Sequence, residues 1–203
     1  IKPTRGEIYV NSHEVQKEPE SVRESIGFLT SDIKLDEQFD VDYMFGFFGR
    51  LHNIPKDRLE KRKEELFSYF GIQDFAHKKI KELSTGMKQK AAIAVSLVHD
   101  PDIVIFDEPT NGLDPVGIHE IRTLIRSLPH KIGCTVLVSS HLLPEVELMA
   151  DDIGILNHGR LLFEGSLEDL RKEAAGMGYP SDNLEETFLA MVEEDNRRRK
   201  MGR

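Results

Sequence analysis

The stretch "PDIVIFDEP", which runs from Pro101 to Pro109, decides the fold. Its apolar centre is short and has a proline on each side, so it predicts a fully buried strand of a parallel sheet. Two adjacent carboxylates, Asp107 and Glu108, follow at the end of that strand. Ligands of open α/β sheets bind beyond the carboxyl ends of the strands. We therefore interpret the two acids either as a site that holds Mg²⁺ and polarises a water, or as a pair of exposed turn acids.

Strand and helix patterns alternate on both sides of this stretch. Upstream, "SVRESIGFL" predicts a strand through Ile26, Phe28 and Leu29, and downstream "TVLVSS" predicts another buried strand. A helix that begins at Asp114 separates the last two strands. This order of elements predicts an α/β architecture with a parallel sheet.

The domain organisation follows from where the strand patterns stop. Residues 32–99 show no strand pattern, so we expect a helical lobe inserted between strands. The α/β core is assigned to residues 1–31 and 100–165, and residues 166–203 are assigned to C-terminal helices and a tail. Together these segments form one domain, the size of which allows a substantial apolar core.

The second informative stretch is "KELSTGMKQKAAIAV", Lys81 to Val95, which predicts a helix capped by Ser84. Thr85 and Gly86 follow the cap, and these small residues leave the first backbone N–H groups of the helix accessible. Such N–H groups bind anions. The sequence therefore predicts an anion-binding helix start.

Two further polar residues lie where chemistry is expected. Asp114 begins a helix, and a capping role alone explains it. His141 follows "TVLVSS", so it falls at the same sheet edge as Asp107 and Glu108. A histidine there can donate a hydrogen bond to a phosphate, although a lone histidine is more often structural or exposed.

The composition limits the class of protein. The 203 residues carry a net charge of −9, which argues against nucleic acid as a partner. The single cysteine, Cys134, lies among apolar residues and is predicted to be a buried thiol. The apolar runs are far too short to span a bilayer, which takes roughly 20 residues.

Four motifs in order resemble those of one family. "LSTGMKQK" resembles the signature motif of ABC proteins, "IVIFDE" resembles their Walker B strand with its glutamate, "GLDP" resembles the D-loop, and His141 resembles the switch histidine. The order and spacing are similar to those of the nucleotide-binding subunits of ABC transporters. "NLEETFLAMV" near the end resembles the single-cassette exporter branch, which includes sodium-extrusion and drug-resistance ATPases. The resemblance implies a P-loop NTPase-like parallel sheet with an inserted helical lobe.

The resemblance also implies catalytic roles at the sheet edge, with ATP and Mg²⁺ as ligands. Asp107 would hold the Mg²⁺ shell, and Glu108 would be the general base or would orient the attacking water. His141 would contact the γ-phosphate. Phosphoryl transfer of this kind needs mainly positioning and charge neutralisation.

A second ATP-binding subunit is implied by the remaining site residues. Ser84, Thr85 and Gly86 would bind the γ-phosphate of an ATP carried by the opposite subunit. Asp114 would act across the dimer interface. The other implied partner is a transmembrane permease, which would dock on the aromatic stretch "YMFGFFGRL" in the helical lobe unless those aromatics are ordinary core. This arrangement implies a peripheral location at the cytoplasmic face of a prokaryotic plasma membrane.

Three features depart from the family pattern. No G-x-x-x-x-G-K-[ST] P-loop occurs, so we expect a sheet that is incomplete at the N-terminus and no hydrolysis by these residues alone. A truncated chain and a degenerate paralogue both explain this, and a start at Ile1 favours truncation. The usual Q-loop residue near Ser31 is absent, and Asp32 is the candidate substitute, with a possible metal contact. The signature carries Thr85 and Met87 in place of the usual glycine and glutamine.

Three functions compete at this stage. The first is an ATPase subunit that powers export through a separate membrane protein. The second is a non-transport ABC ATPase of translation or DNA repair, but such proteins typically carry two cassettes, a basic linker or a long coiled coil, and none is visible here. The third is a non-enzymatic interaction piece.

Overall fold

The strand predicted from "PDIVIFDEP" is the central strand of the parallel sheet in the computed structural model, which describes residues 3–32, 35–179 and 183–201. In chain order, the described strands are β1 (Tyr9–Val10), β2 (His13–Glu14), β3 (Ile26–Leu29), β4 (Ile103–Asp107), β5 (Thr135–Ser139), β6 (Asp152–Asn157) and β7 (Arg160–Ser166). The described α-helices are α1 (Pro19–Ser25), α2 (Val41–Leu51), α3 (Lys56–Phe70), α4 (Thr85–Ser96), α5 (Pro115–Lys131), α6 (Leu143–Met149), α7 (Leu167–Gly176) and α8 (Leu184–Met201). No helix in the described ranges is both long and apolar enough to cross a membrane.

The parallel sheet has the order β3-β4-β5, so the predicted α/β class is confirmed. One face is buried, and Val104 and Phe106 on that face are 0% exposed. Helix α4 approaches this face very closely. A Cβ atom added at Gly27 would lie only 2.4 Å from the carbonyl oxygen of Ser96. Glycine is therefore required at that point of β3.

The opposite face of the sheet is partly exposed, so the prediction that β4 and β5 are fully buried is wrong. Phe28, Ile105 and Leu137 are aligned across the strands on that face, and Phe28 and Leu137 are each 58% exposed. Among the described strands, β5 has a single neighbour, β4. The apolar sequence of a strand indicates that it can be buried on both faces, but not which elements cover each face.

The strand predicted through Ile26, Phe28 and Leu29 is confirmed. Residues Ile26–Leu29 form β3 as expected, but the preceding residues form α1, with Pro19 at its first turn. Proline is favoured there because its missing N–H has no helical partner and its φ suits a helix. The predicted burial of Cys134 is confirmed, and burial raises the pKa of its thiol.

Helices α2 and α3 are defined by clear end signals. α2 begins after Asp40, whose side chain accepts the N–H of Tyr43 at 2.7 Å, and α3 ends at Gly71, which has a φ of +64°. Phe45 of α2 and Phe67 of α3 pack edge to face with ring centroids 5.2 Å apart. These contacts anchor the helices that precede α4 in the chain.

The chain divides into two units, residues 1–139 and 140–203. The first unit contains the parallel sheet and α1 to α5. In the second unit, β6 and β7 form an antiparallel hairpin with one irregularity between Ile155 and Leu156. A cluster of buried apolar side chains in the second unit consists of Ile153, Ile155, Phe163, Leu170, Leu184 and Met191.

Candidate functional site

The carboxyl end of β4 holds the two predicted acids in a fixed arrangement. The parallel register places Asp107 opposite Ser139 at the end of β5. The Ser139 hydroxyl donates a hydrogen bond to Asp107 Oδ1 at 2.5 Å. The backbone N–H of Glu108 donates to both the carbonyl oxygen and the Oγ of Ser139, at 3.1 and 3.2 Å. Asp107 and Glu108 are thus tied to the neighbouring strand through one serine.

Glu108 has a backbone conformation that is unusual for its residue type. Its φ is +50°, in the left-handed region that favours glycine. Such a residue costs about 1–3 kcal/mol and persists only where its surroundings hold it in place. The hydrogen bonds to Ser139 are part of that restraint. A strained residue of this kind, next to a second acid at a sheet edge, is typical of a functional site.

The oxygen atoms at this edge fit Mg²⁺ in complex with a nucleotide. No cluster of three or more acidic, histidine or cysteine side chains suited to a metal occurs in the described ranges. Mg²⁺ differs from most metals in this respect, because proteins often bind it through one or two carboxylates while water and phosphate complete its shell. Asp107 is half-buried and uses Oδ1 for the Ser139 hydrogen bond, so it can supply one such ligand.

Asp32 follows β3 at the same edge of the sheet. Leu29 at the end of β3 pairs with Phe106, the residue before Asp107, and Asp32 lies three residues beyond Leu29. Its side chain is exposed, and its carbonyl oxygen accepts the Thr30 hydroxyl at 2.6 Å. The chain therefore turns just past the strand end, at the edge where Asp107 lies.

The start of α4 matches the predicted anion-binding arrangement. Ser84 is the N-cap, and its Oγ accepts the N–H of Met87 at 3.3 Å. Ser84 and Thr85 are exposed, and an added Cβ at Gly86 would meet no atom within 4 Å. No acidic residue occurs in the first turn of the helix. Space, N–H donors and the positive end of the helix dipole are thus present together.

A salt bridge connects this helix start with the segment before α2. Lys88 Nζ lies 2.6 Å from Glu37 Oε1, and Lys88 is mostly buried whereas Glu37 is exposed. Farther along α4, Lys90 pairs with Glu120 of α5 at 2.8 Å. Both lysines of α4 therefore form salt bridges with acidic side chains. The groups in this turn that remain accessible to an anion are the backbone N–H donors at Ser84–Gly86.

Asp114 caps α5, as its capping interpretation predicts. Its Oδ1 accepts the N–H of Gly117 at 2.7 Å, while the residue itself remains exposed. Gly112, in the loop between Glu108 and Asp114, has a φ of +73° and open space around it. The glycine allows the loop to turn, so that β4 and α5 are joined through a short segment that is exposed at Asn111, Gly112 and Asp114.

His141 belongs to the second unit. It is exposed and follows Ser139, the last residue of β5, by two positions. The adjacent Ser140 accepts the N–H of Leu142 on its Oγ at 3.0 Å, which shapes the turn before α6. The structure thus brings Asp107, Glu108 and Ser139 together, and it presents Ser84–Gly86 as a separate cluster.

Ser139 is the site residue that sequence reasoning missed. The polar residue that follows the "TVLV" run was the signal in the sequence from which this site residue could have been found. Its contact with Asp107 depends on the register of two parallel strands that lie 32 residues apart in the chain. Nothing in the sequence fixes that register before the strands are paired.

A cavity of the first unit lies elsewhere, around the other end of α4. It has a volume of about 420 Å³ and is bordered by the ends of α1, α2 and α4 and the start of α3. His52 and His99 stack there with centroids 4.0 Å apart, and the His99 ring contacts the carbonyl oxygen of Ile26 at 3.1 Å. Burial lowers the pKa of His99 to about 4, with a further contribution from His52. Besides the histidines, the lining includes the charged residues Glu24, Arg58, Lys61, Arg62, Glu65 and Asp100, and none of the predicted site residues borders the cavity.

Comparisons with known proteins agree on one family. The sequence model of the family described as ABC transporter matches residues 1–111. Daunorubicin resistance ATP-binding protein DrrA3 of Streptomyces coeruleorubidus is 36% identical over 176 residues, which cover 87% of this chain and 55% of that protein. The ABC transporter ATP-binding protein NatA of Bacillus subtilis is 34% identical over 171 residues, which cover 84% of this chain and 69% of NatA. The chain therefore spans little more than half the length of DrrA3.

A solved structure extends the likeness to the fold. The structure described as that of an ATP binding subunit of an ABC transporter superposes with a TM-score of 0.79 at 25% identity. The superposition covers 95% of this chain and 78% of that structure. The likeness therefore includes the strands, the helices between them and the C-terminal region.

Proposed function

The chain belongs to the ABC transporter family, and we propose that it is the ATP-binding and hydrolysing part of an exporter subunit that works as a dimer with a separate permease. The names of its relatives associate them with drug resistance and with ABC transport. The transported substrate would be selected by the permease. The proposed location is the cytoplasmic face of the plasma membrane of a prokaryotic cell, where the permease would hold the subunit.

One observation carries this proposal more than any other. It is the pair Asp107 and Glu108 at the carboxyl end of β4, tied by hydrogen bonds to Ser139 on the next strand. A strained glutamate beside an anchored aspartate suits a site that positions a water and a metal-bound phosphate. Two exposed turn acids without a function would need neither the strain nor the anchoring.

The proposed roles at this edge divide between the acids. Asp107 holds Mg²⁺, and Asp32 contributes to the same shell. Mg²⁺ neutralises phosphate charge when it is bound. Glu108 orients the attacking water or accepts its proton, and the geometry of its backbone sets the direction of its side chain.

The proposed roles of the remaining residues involve a second subunit. Ser84, Thr85 and Gly86 contact the γ-phosphate of an ATP held by the opposite subunit, with backbone N–H groups and the helix dipole as the attractive elements. Asp114 acts across the dimer interface from its position at the start of α5. His141 donates a hydrogen bond to the γ-phosphate.

Docking of the permease is proposed at α2. Phe39, Tyr43 and Phe47 form an exposed ladder, with ring centroids 4.3 and 6.5 Å apart, and are 38–45% exposed. Phe48 packs edge to face on Phe47 with a centroid distance of 5.6 Å. Phe45 of the same helix is fully buried, so the aromatic stretch serves both as core and as surface. An exposed aromatic row of this kind favours a protein partner.

Co-purification tests the docking proposal. Phe47→Ala together with Phe48→Ala is expected to reduce recovery of the permease with the full-length gene product, while the far-ultraviolet circular dichroism spectrum stays unchanged. Leu161→Ala is the matched control, since Leu161 is 54% exposed on β7. Undiminished recovery of the permease with an intact fold would refute docking at α2.

The domain assignment and the inactivity of the isolated residues remain part of the proposal. We assign residues 1–31 and 100–165 to the ATP-binding core, 32–99 to the helical lobe and 166–203 to C-terminal helices. The 203 residues contain no P-loop sequence, so by themselves they lack the lysine and hydroxyl that the β- and γ-phosphates and Mg²⁺ need. We expect no ATP turnover from these residues alone, and turnover that Glu108→Gln abolishes would contradict this.

The function itself is tested in the full-length gene product. Glu108→Gln keeps the size of the side chain and removes its charge, so we expect kcat for ATP hydrolysis to fall by about 100-fold or more. Glu64→Gln is the matched control, because Glu64 is an exposed residue of α3 that lies outside the proposed site. Equal loss in both variants, or no loss in Glu108→Gln, would refute the proposed function.

A further inference from the structure

Ser139 occupies a central position between the two acids of the sheet edge. Its hydroxyl group has one proton and two lone pairs. The proton is directed to Asp107 Oδ1 at 2.5 Å, and a lone pair receives the N–H of Glu108 at 3.2 Å. A continuous chain of hydrogen bonds therefore runs from the Glu108 backbone through Ser139 to the Asp107 carboxylate.

This chain restrains both acids at once. The bond to a carboxylate is charge-assisted and is stronger than a bond between neutral groups. It fixes the rotation of the Asp107 side chain by occupying Oδ1. The same serine, through its carbonyl oxygen at 3.1 Å and its Oγ, shares the N–H of Glu108, whose φ of +50° would otherwise relax.

We propose that Ser139 is a positioning residue for ATP hydrolysis, which orients Asp107 toward Mg²⁺ and fixes the backbone of Glu108 toward the attacking water. The inference rests on the proposed function of the two acids. Ser139 touches neither substrate nor metal in this role. It acts only through Asp107 and Glu108, so its contribution should follow the geometry of those residues.

A purely structural role makes different predictions. If the Ser139 hydroxyl only joined β5 to β4, its removal would lower stability and leave kcat unchanged in the fraction that is folded. The adjacent pair Phe106 and Val138 already joins these strands, and the ladder continues to Ile103 and Thr135. Loss of one exposed hydroxyl at the strand ends should therefore leave the sheet intact.

The test compares Ser139→Ala, Ser139→Thr and the control Ser25→Ala in the full-length gene product. Ser25 suits as a control because its hydroxyl donates to a backbone carbonyl, that of Ser21, at 3.0 Å. Ser139→Ala is expected to lower kcat by about 10-fold or more with KM for ATP within about twofold, since a bond to a charged group is lost. Ser139→Thr keeps the hydroxyl and should recover most of the activity.

A second measurement needs neither nucleotide nor metal. In the metal-free protein, amide hydrogen exchange at Glu108 should be several-fold faster in Ser139→Ala than in the wild type, and close to wild type in Ser139→Thr. Exchange at Phe106, within β4, should be unchanged in both variants. This pattern would show that the hydroxyl restrains Glu108 before any ligand binds.

The outcomes separate this inference from the proposed function. Loss of kcat in Ser139→Ala, recovery in Ser139→Thr and faster exchange at Glu108 would support it. Wild-type kcat and exchange in Ser139→Ala, or no recovery with threonine, would overturn it even if Glu108→Gln is inactive. Full activity of Glu108→Gln would instead refute the proposed function, and the inference with it.

Discussion

The two ends of α4 are built from the same helix and show opposite character. At its start, Ser84 and Thr85 are exposed, and a Cβ atom added at Gly86 would meet no atom within 4 Å. Beyond its other end, His99 packs against His52 and contacts the carbonyl oxygen of Ile26. The first end leaves backbone donors accessible, and the second uses its polar groups for packing. The difference teaches that the cavity at the packed end is not where the chemistry is expected.

This comparison separates activity from stability. Changes at the start of α4 should affect ATP turnover with little effect on the free energy of unfolding. Changes at the other end should lower the free energy of unfolding and leave the specific activity of folded protein unchanged. Each variant below is chosen to break or sharpen this contrast, and all activity measurements refer to the full-length gene product.

The largest effect is expected for Gly86→Asp. The position has room for a side chain, and a carboxylate in the first turn interacts favourably with the helix dipole. The same carboxylate would repel the γ-phosphate, so turnover should fall by about 100-fold or more while the melting temperature is unchanged or higher. Gly86→Ala, which adds bulk without charge, is the control and should lose far less activity. Normal turnover in Gly86→Asp would show that the γ-phosphate does not bind at this helix start.

Arg62→Ala should produce the largest loss of stability. Arg62 is 11% exposed, donates two hydrogen bonds to the carbonyl oxygen of Leu97 and pairs with Asp100 at 2.9 Å. Its removal leaves that carbonyl without a charged donor, so we expect a loss of about 2 kcal/mol in urea unfolding. Arg58→Ala is the control, because Arg58 is 70% exposed and its pair with Asp100 is 3.6 Å long, worth about 0–1 kcal/mol. Equal losses in the two variants would contradict the packed character of this end.

His99 predicts a specific dependence of stability on pH. Burial lowers its pKa in the folded protein from 6.5 to about 4, so the folded state binds fewer protons than the unfolded state between these values. The contribution of neutral His99 to the free energy of unfolding is complete above pH 6.5 and is lost as the pH falls toward 4. Between pH 8 and pH 5 we expect this free energy to fall by about 2 kcal/mol. His99→Asn should flatten that slope, whereas His130→Asn, at an exposed position, should not. An unchanged slope in His99→Asn would show that other groups cause the acid sensitivity.

A small effect on stability is expected for Ser84→Ala. Ser84 accepts the N–H of Met87 at 3.3 Å, and loss of an N-cap of this kind costs about 1 kcal/mol. Ser84→Gly should cost only a few tenths of a kcal/mol, yet both variants remove the side chain of a residue that is proposed to contact the γ-phosphate. Turnover should therefore fall similarly in both variants although their stabilities differ. Activity that follows the order of stability would indicate that Ser84 is a cap alone.

Local sequence predicted those features that depend on local chemistry. Ser84 and Asp114 were recognisable as caps because capping depends on residues within one turn. β4 was recognisable from its apolar residues and flanking prolines, and Asp107 and Glu108 followed as groups at a strand end. The family motifs then gave these residues roles that composition could not.

Features that depend on tertiary structure were missed or wrongly predicted. Leu137, on the exposed face of the sheet, was predicted to be buried, because an apolar strand does not reveal which face is covered. Ser139 was missed because its partner Asp107 is fixed by strand register. The stacking of His52 on His99 was also missed, because the two residues are 47 positions apart in the sequence and come together only through tertiary packing.

The central claim is that Ser84–Gly86 closes over a nucleotide held by another subunit and hydrolysed with Glu108. Its most direct test is the mass in solution of the Glu108→Gln full-length gene product, measured by light scattering with Mg²⁺ and with or without ATP. A ligand that binds only the dimer stabilises it, and slow hydrolysis preserves that ligand. We predict ATP-dependent dimers of Glu108→Gln and none when Gly86→Asp is added. The same mass with and without ATP, or dimers that persist in the double variant, would contradict the claim.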